Sequence, residues 1–277
     1  MKVSVCIPTF RRPESLNIAL GALLSSTDRF DEVLVAVTKD LESSTNEVTR
    51  HLIEAFTVKG IPVNVVADFS GLCEAKQWFL DTAKNEVLLF MDDDVVVETS
   101  YFDLVKYFQQ ADVGAVSGSL QTPLDVGYQD WAGVPIDVGQ AQTCNTLTYD
   151  SVNKRFVWVD KYQVYMHKTP FFSDKCQYLI GTALFVRKDA VEIDMEFQRG
   201  ACAGEEIDFT YNMFMNGRRL IFDSTRIAWH LHMTSGGMRG MDRSLDKDNM
   251  SYLAQKWGFA DEVADGCGVY KEGQADE

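Results

Sequence analysis

Three consecutive carboxylates, Asp92, Asp93 and Asp94, follow directly on the apolar run Val87 to Met91. Adjacent carboxylates repel one another, so such a cluster calls for a positive neighbour, and a divalent cation is the natural one. Along an extended chain Asp92 and Asp94 point to the same side, which makes a D-x-D clamp for a hard, oxygen-preferring ion. A second acidic group, Gly204-Glu205-Glu206-Ile207-Asp208, leads into a predicted helix over 209–216 that Gly217 ends. Carboxylates at such a start also suit the helix dipole without any chemistry.

The elements around these groups show a regular order. Val3 to Ile7 reads as a strand that stops at Pro8-Thr9, and further strands are predicted over 32–37, 62–67 and 87–91. Helices are predicted between them over 13–25, 45–56 and 72–83. This alternation implies an α/β fold with a mostly parallel sheet, whose sites form beyond the carboxyl ends of the strands. Pro8-Thr9-Phe10-Arg11, Thr38-Lys39-Asp40, Asp68-Phe69-Ser70 and Asp92 to Asp94 are all strand ends and should converge on one crevice. The second half differs. Residues 112–175 read as an irregular β-rich elaboration, followed by a strand over 178–187 broken at Gly181-Thr182 and short strands over 220–223 and 227–232. The division expected is a first half over 1–111, a second half of the same domain over 112–245 and a partly flexible extension over 246–277.

Composition narrows the function. The chain has 277 residues, 46% of them hydrophobic, enough for one large α/β domain. A net charge of −15 argues against binding nucleic acid over a broad basic surface. The longest apolar runs are strand-sized, so no transmembrane anchor is expected, and a first strand beginning at Val3 leaves no room for a signal peptide. Six Cys without C-x-x-C spacing read as reduced, packed thiols of a cytoplasmic protein.

In this order, Pro8-Thr9-Phe10-Arg11, Gly71-Leu72 with Lys76, the apolar strand into Asp92-Asp93-Asp94, Gly204-Glu205-Glu206 with Asp208, and Trp229-His230 resemble the family 2 glycosyltransferases of the GT-A fold. The resemblance covers roughly residues 1–235. It implies a nucleoside diphosphate sugar donor and Mn²⁺ or Mg²⁺ bound through Asp94, with Asp92 on the ribose or the metal. It implies His230 as the ligand completing the metal shell, with His232 the alternate. The family's base falls on Glu206, where the usual residue is Asp; the one-methylene difference keeps Glu205 as the alternative. Pro8, Thr9, Phe10, Arg11, Thr38, Asp40, Asp68, Lys76, Asp92, Asp93 and Gly181 are the implied donor neighbours, Thr38 or Asp40 standing in for the acidic residue that usually meets the nucleotide base. Arg12 and Arg239 are further cations of interest. The acceptor is a hydroxyl of unknown identity, a glycan or small molecule, with Trp131, Trp158, Tyr162 and Tyr165 suited to sugar faces.

Two other classes compete. The run Asp92-Asp93-Asp94-Val95-Val96 also fits the first motif of a haloacid dehalogenase-like phosphatase, although three strand–helix units precede it here. A non-catalytic glycan-binding module would be signalled by loss of the D-x-D, which is intact.

Overall fold

Pro13 sits in the first turn of the first helix, where its missing N–H is harmless, and Asn46 and Thr49 form a reciprocal capping box on the third. Such local signals set the order β1 (Val3–Thr9), α1 (Pro13–Leu23), β2 (Glu32–Thr38), α2 (Leu41–Ser44), α3 (Glu47–Val58), β3 (Val63–Phe69), α4 (Leu72–Thr82) and β4 (Val87–Met91). Then come β5 (Val95–Val97), a 3₁₀ helix (Thr99–Gln109) and β6 (Val113–Gln121). Short strands β7 (Gln140–Ala141), β8 (Thr146–Asp150), β9 (Arg155–Val159), β10 (Val164–Tyr165) and β11 (Phe172–Ser173) precede β12 (Ala183–Arg187), α5 (Glu205–Met215) and β13 (Arg219–His230). This computed structural model describes residues 1–38, 41–121, 140–141, 146–150, 155–159, 164–165, 172–174, 176–179, 181–197, 204–231, 233, 249, 252–253 and 255–257.

Among the described residues the main sheet has nine strands in the order β11-β13-β6-β12-β4-β1-β2-β3, with β5 added on β13. Strands β3, β2, β1 and β4 run parallel, as the strand–helix alternation predicts. Beyond β4 the sheet is mixed, because β12 lies antiparallel to both β4 and β6. Strand β13 is parallel to β6 and antiparallel to β5. Following these directions across the sheet, the carboxyl ends of β1 to β4, the amino end of β12 and the carboxyl end of β13 all meet at one edge.

Several boundaries differ from the sequence reading, each for a local reason. Strand β1 continues through Pro8 to Thr9, since Pro8 still pairs with Ala36. The two strands expected over 220–223 and 227–232 are one, β13, with a register shift between Asp223 and Ile227. There the Asp223 carboxylate accepts from the Thr225 backbone N–H (3.0 Å) and hydroxyl (2.6 Å), so the irregularity is absorbed within a continuous strand. Helix α5 begins at Glu205, four residues before the predicted start, which puts both glutamates inside its first turn.

Alternation along the buried strands splits the core between the two faces. Leu88 and Phe90 face Phe79 of α4 and Phe209 of α5, while Val87, Leu89 and Met91 face α1 and the 3₁₀ helix. Phe90 and Asp92 share a side of the chain, so Asp92 emerges on the α4 and α5 side. Cys6 and Cys73 are buried. Cys176 is disulfide-bonded, so the expectation of reduced thiols throughout fails at that residue.

Candidate active site

The chain reverses between β1 and β4: β2 and β3 lie to one side of β1, while β4 starts the other. Turns leaving two such strands diverge and open a crevice. Two non-glycine residues with positive φ mark this edge, Arg11 (φ 54) after β1 and Asp68 (φ 83) at the end of β3. Arg11 has its backbone N–H on Ser44 Oγ at 2.8 Å and its guanidinium over the Phe10 ring, exposed to solvent. That turn carries the next residue, Arg12, over the carboxylates.

Arg12 is the cation the acidic cluster requires. Its Nη1 donates to Asp93 Oδ1 at 3.0 Å and its Nη2 to Asp94 Oδ2 at 2.5 Å and the Met233 carbonyl at 3.0 Å. Asp93 also accepts from the Thr9 hydroxyl at 2.6 Å and is buried. Its carboxyl is pushed up to about 7, by burial foremost, with Arg12 and Thr9 pulling the other way. Asp93 thus ties the end of β1 to the turn after β4 within the protein and shares the Arg12 guanidinium with Asp94.

Asp92 and Asp94 meet His230, and the sheet explains how. His230 pairs with Val95 in the β13–β5 ladder, and the Leu231 N–H continues that ladder to the Asp94 carbonyl at 2.9 Å. His230 Nε2 lies 3.2 Å from Asp94 Oδ1, and one ligand atom from each of Asp92, Asp94 and His230 lies within 4.8 Å of the others. The second oxygen of Asp94 is held by Arg12 and by the Met233 N–H at 3.1 Å, which turns Oδ1 toward His230. Two carboxylate oxygens and an imidazole nitrogen suit Mn²⁺ or Mg²⁺, so the residues present fit a divalent ion. Burial pushes Asp92 up to about 6, with His230 lowering it and Asp94 raising it. Burial acts to raise Asp94 too, but the hydrogen bond to His230 and the Arg12 guanidinium hold it well below the ordinary range.

Beside this cluster lies a second charged group. Gly204, with φ 101, takes the left-handed conformation that lets α5 start abruptly, and it places Glu205, Glu206 and Asp208 in the first turn. Lys76 of α4 is buried, and its Nζ donates to Glu205 Oε1 at 2.6 Å. Its ammonium also lies over the rings of Phe90 and Phe209, 5.7 and 5.3 Å from their centroids. Burial acts to lower the Lys76 pKa, but Glu205 and Glu206 outweigh it and raise it. Burial first, then the Glu205 carboxylate, push half-buried Glu206 well above the ordinary glutamate value. Glu205 Oε2 is buried and has no hydrogen-bond partner among the described residues. Gly181, just ahead of β12, packs on this pair: a Cβ there would lie 2.9 Å from Glu206 Cβ and 3.7 Å from Lys76 Nζ.

The sequence-predicted residues therefore fall into groups. Asp92, Asp94 and His230 converge; Glu205, Glu206, Lys76 and Gly181 form the neighbouring cluster; Thr9 and Asp93 bond to each other. Thr38 is buried at the end of β2, and Asp68 is exposed at the end of β3. Asp40, Trp131, Tyr162, His232 and Arg239 lie outside the described residues, and Trp158 and Tyr165 are described only in their backbone. The role of Arg12 was not legible in sequence: three adjacent carboxylates ask for a positive neighbour, but only the left-handed Arg11 decides which of two adjacent arginines reaches Asp93 and Asp94.

The description "Glycosyl transferase family 2" matches residues 4–191, more than half of the chain. The chain belongs to that family. The match includes Asp92 to Asp94 and ends before Glu205 and His230. No curated protein matches the sequence. Among solved structures, Staphylococcus aureus TarS 1–349 in complex with UDP-GlcNAc is similar over 95% of this chain and 68% of that one, at 15% identity and a TM-score of 0.60. GalNAc-T7 with UDP, GalNAc and Mn²⁺ is similar over 92% of this chain and 48% of that one, at 17% identity and a TM-score of 0.60. The mannosyltransferase PcManGT from Pyrobaculum calidifontis with GDP-Man and Mn²⁺ is similar over 84% and 57%, at 14% identity and a TM-score of 0.52. A further S. aureus TarS structure is covered over 40% of its chain, so this chain spans well under two thirds of several of these structures. The shared fold is GT-A, and membership in this family disfavours the phosphatase reading of Asp92-x-Asp94. Among the described residues no helix is long and apolar enough to cross a membrane.

Proposed function

We propose that this chain transfers a sugar from a nucleoside diphosphate sugar to an acceptor hydroxyl, with a divalent ion held by Asp92, Asp94 and His230. The convergence of those three side chains at the carboxyl edge of the sheet, beside the Lys76–Glu205–Glu206 cluster, carries this reading. When bound, the ion offsets the charge that develops on the departing diphosphate. The remaining work belongs to the protein. Arg12 keeps Asp94 oriented, Gly181 leaves room for Glu206, and Glu206 accepts the proton of the attacking hydroxyl. Glu205 is bonded to Lys76 and is the less available of the two glutamates. Attack on the anomeric carbon with departure of the diphosphate in a single displacement inverts the anomeric configuration. The donor contacts fall on the 1–111 half and the acceptor on the 112–245 half in this reading.

The test is incubation with UDP-GlcNAc, UDP-GalNAc or GDP-mannose and either Mn²⁺ or chelator, following release of UDP or GDP. Release that requires the ion and disappears in Asp94→Asn supports the proposal. Equal release in excess chelator overturns the role of the metal, and a product sugar of unchanged anomeric configuration overturns single displacement.

A further inference from the structure

The segment beyond β13 makes contacts that the reaction outlined above does not use. Tyr252, Leu253, Gln255 and Lys256 are helical, with the Trp257 N–H on the Leu253 carbonyl at 3.2 Å. Leu253 is fully buried in the same core cluster as Phe90 and Phe209. The Tyr252 ring meets Phe197 edge-on at 5.2 Å, and Trp257 meets Tyr211 of α5 edge-on at 5.0 Å. The polar contacts converge on one carboxylate. Asp208, buried in the first turn of α5, accepts from Lys256 Nζ on Oδ2 and from Trp257 Nε1 on Oδ1, both at 2.8 Å.

Lys256 reaches a second partner as well, Asp194 Oδ2 at 2.7 Å, and the Tyr252 hydroxyl donates to the same oxygen at 2.7 Å. The C-terminal turn thus crosslinks α5 to the segment Asp194–Phe197 through charge-assisted bonds. Burial pushes the Asp208 carboxyl up, with Lys256 and Trp257 pulling it down. A buried carboxylate deprived of these donors would be left unsatisfied, and the helix turn that carries it would shift to recover water. Asp208 is two residues from Glu206, so that shift moves Glu206.

We propose that Lys256 and Trp257 are positioning residues for sugar transfer, holding Asp208 from outside so that the first turn of α5 aims Glu206 at the acceptor hydroxyl. The inference rests on the reading of Glu206 as the base. Neither residue touches the Asp92, Asp94 and His230 cluster in any described contact, and both lie beyond the residues matched by the family. A merely structural brace would change stability and leave turnover per folded molecule alone.

The experiment compares the full-length wild type with Trp257→Phe, Lys256→Met and Lys256→Arg, using whichever of UDP-GlcNAc, UDP-GalNAc or GDP-mannose the wild type turns over with Mn²⁺. Trp257→Phe keeps an aromatic ring against Tyr211 and removes only the N–H donor, so it decides the matter even if Lys256→Met fails to fold. Expected are a fall in kcat on the order of 10- to 100-fold in Trp257→Phe and Lys256→Met, as slight misplacement of a catalytic group produces. The donor KM stays near wild type, and Lys256→Arg, which can still bridge both carboxylates, recovers most of kcat. Wild-type kcat in Trp257→Phe, or a change confined to KM, overturns the proposal. A wild type that releases no nucleotide from any of the three donors refutes the transfer reading itself, and the positioning role with it, before any variant is compared.

Discussion

Gly181→Ala tests the geometry around Glu206 with the addition of one methyl group. The new Cβ would stand 2.9 Å from Glu206 Cβ and 3.3 Å from its Cγ, whereas ordinary contacts begin at 3.4 Å. To reach ordinary contact the first of these must open by 3.4 − 2.9 = 0.5 Å. Glu206 Cβ is fixed to the helix backbone and has no rotamer that relieves the clash, so the first turn of α5 and the turn carrying Gly181 must part. Gly181 itself has no left-handed backbone conformation, which leaves this contact as the whole effect. Overpacking of this size in a close-packed interior costs about 1–3 kcal/mol of stability. A displaced base lowers kcat by roughly 10- to 100-fold. Metal-dependent binding of UDP or GDP should persist, because Asp92, Asp94 and His230 stand on other elements. The assay pairs a thermal melt with kcat for donor turnover and with nucleotide binding in Mn²⁺. Wild-type kcat and wild-type stability together in a folded Gly181→Ala protein would refute the close packing of Gly181 on Glu206, and wild-type kcat in a destabilised one would count against Glu206 as the base.

Three further outcomes are expected. Asp94→Asn and His230→Ala should each weaken Mn²⁺-dependent binding of UDP or GDP, measured by thermal shift, while the chelator-treated protein still folds; unaltered binding in both would remove the metal site from Asp92, Asp94 and His230. Turnover should rise with pH through a midpoint above the ordinary glutamate value of 4.5, because the raised carboxyl of Glu206 must lose its proton before it can serve as a base. The sign for stability is opposite: a carboxyl raised in the folded state stabilises fully at pH below its unfolded value and loses that contribution as pH rises through its folded one. A pH–rate profile that is flat from 4.5 upward would exclude Glu206. Phe90→Ala, at a residue 1% exposed between Phe79 and Phe209 and beneath the Lys76 ammonium, should lower unfolding free energy by about 3–5 kcal/mol in a denaturant titration, and a loss no larger than that of a surface site would contradict the packing described.

What the sequence determined by itself was local. The apolar run 87–91, the carboxylates after it and the strand–helix alternation before it are short-range patterns, and they suffice for the parallel half of the sheet and for the expectation of a site at its carboxyl edge. The glycine ahead of two glutamates likewise announced an acidic helix start. Which side chains meet was decided elsewhere. His230 reaches Asp94 because β13 pairs with β5 across more than a hundred residues of chain, and Gly181 reaches Glu206 because β12 inserts antiparallel beside β4. Lys76 reaches Glu205 because α4 and α5 share one face of the sheet. Arg12 rather than Arg11 neutralises the cluster because one residue turns left-handed. Period and propensity act over a few residues, whereas strand pairing is set by burying two faces of a whole sheet at once, and only that long-range packing brings these charges within a few ångströms.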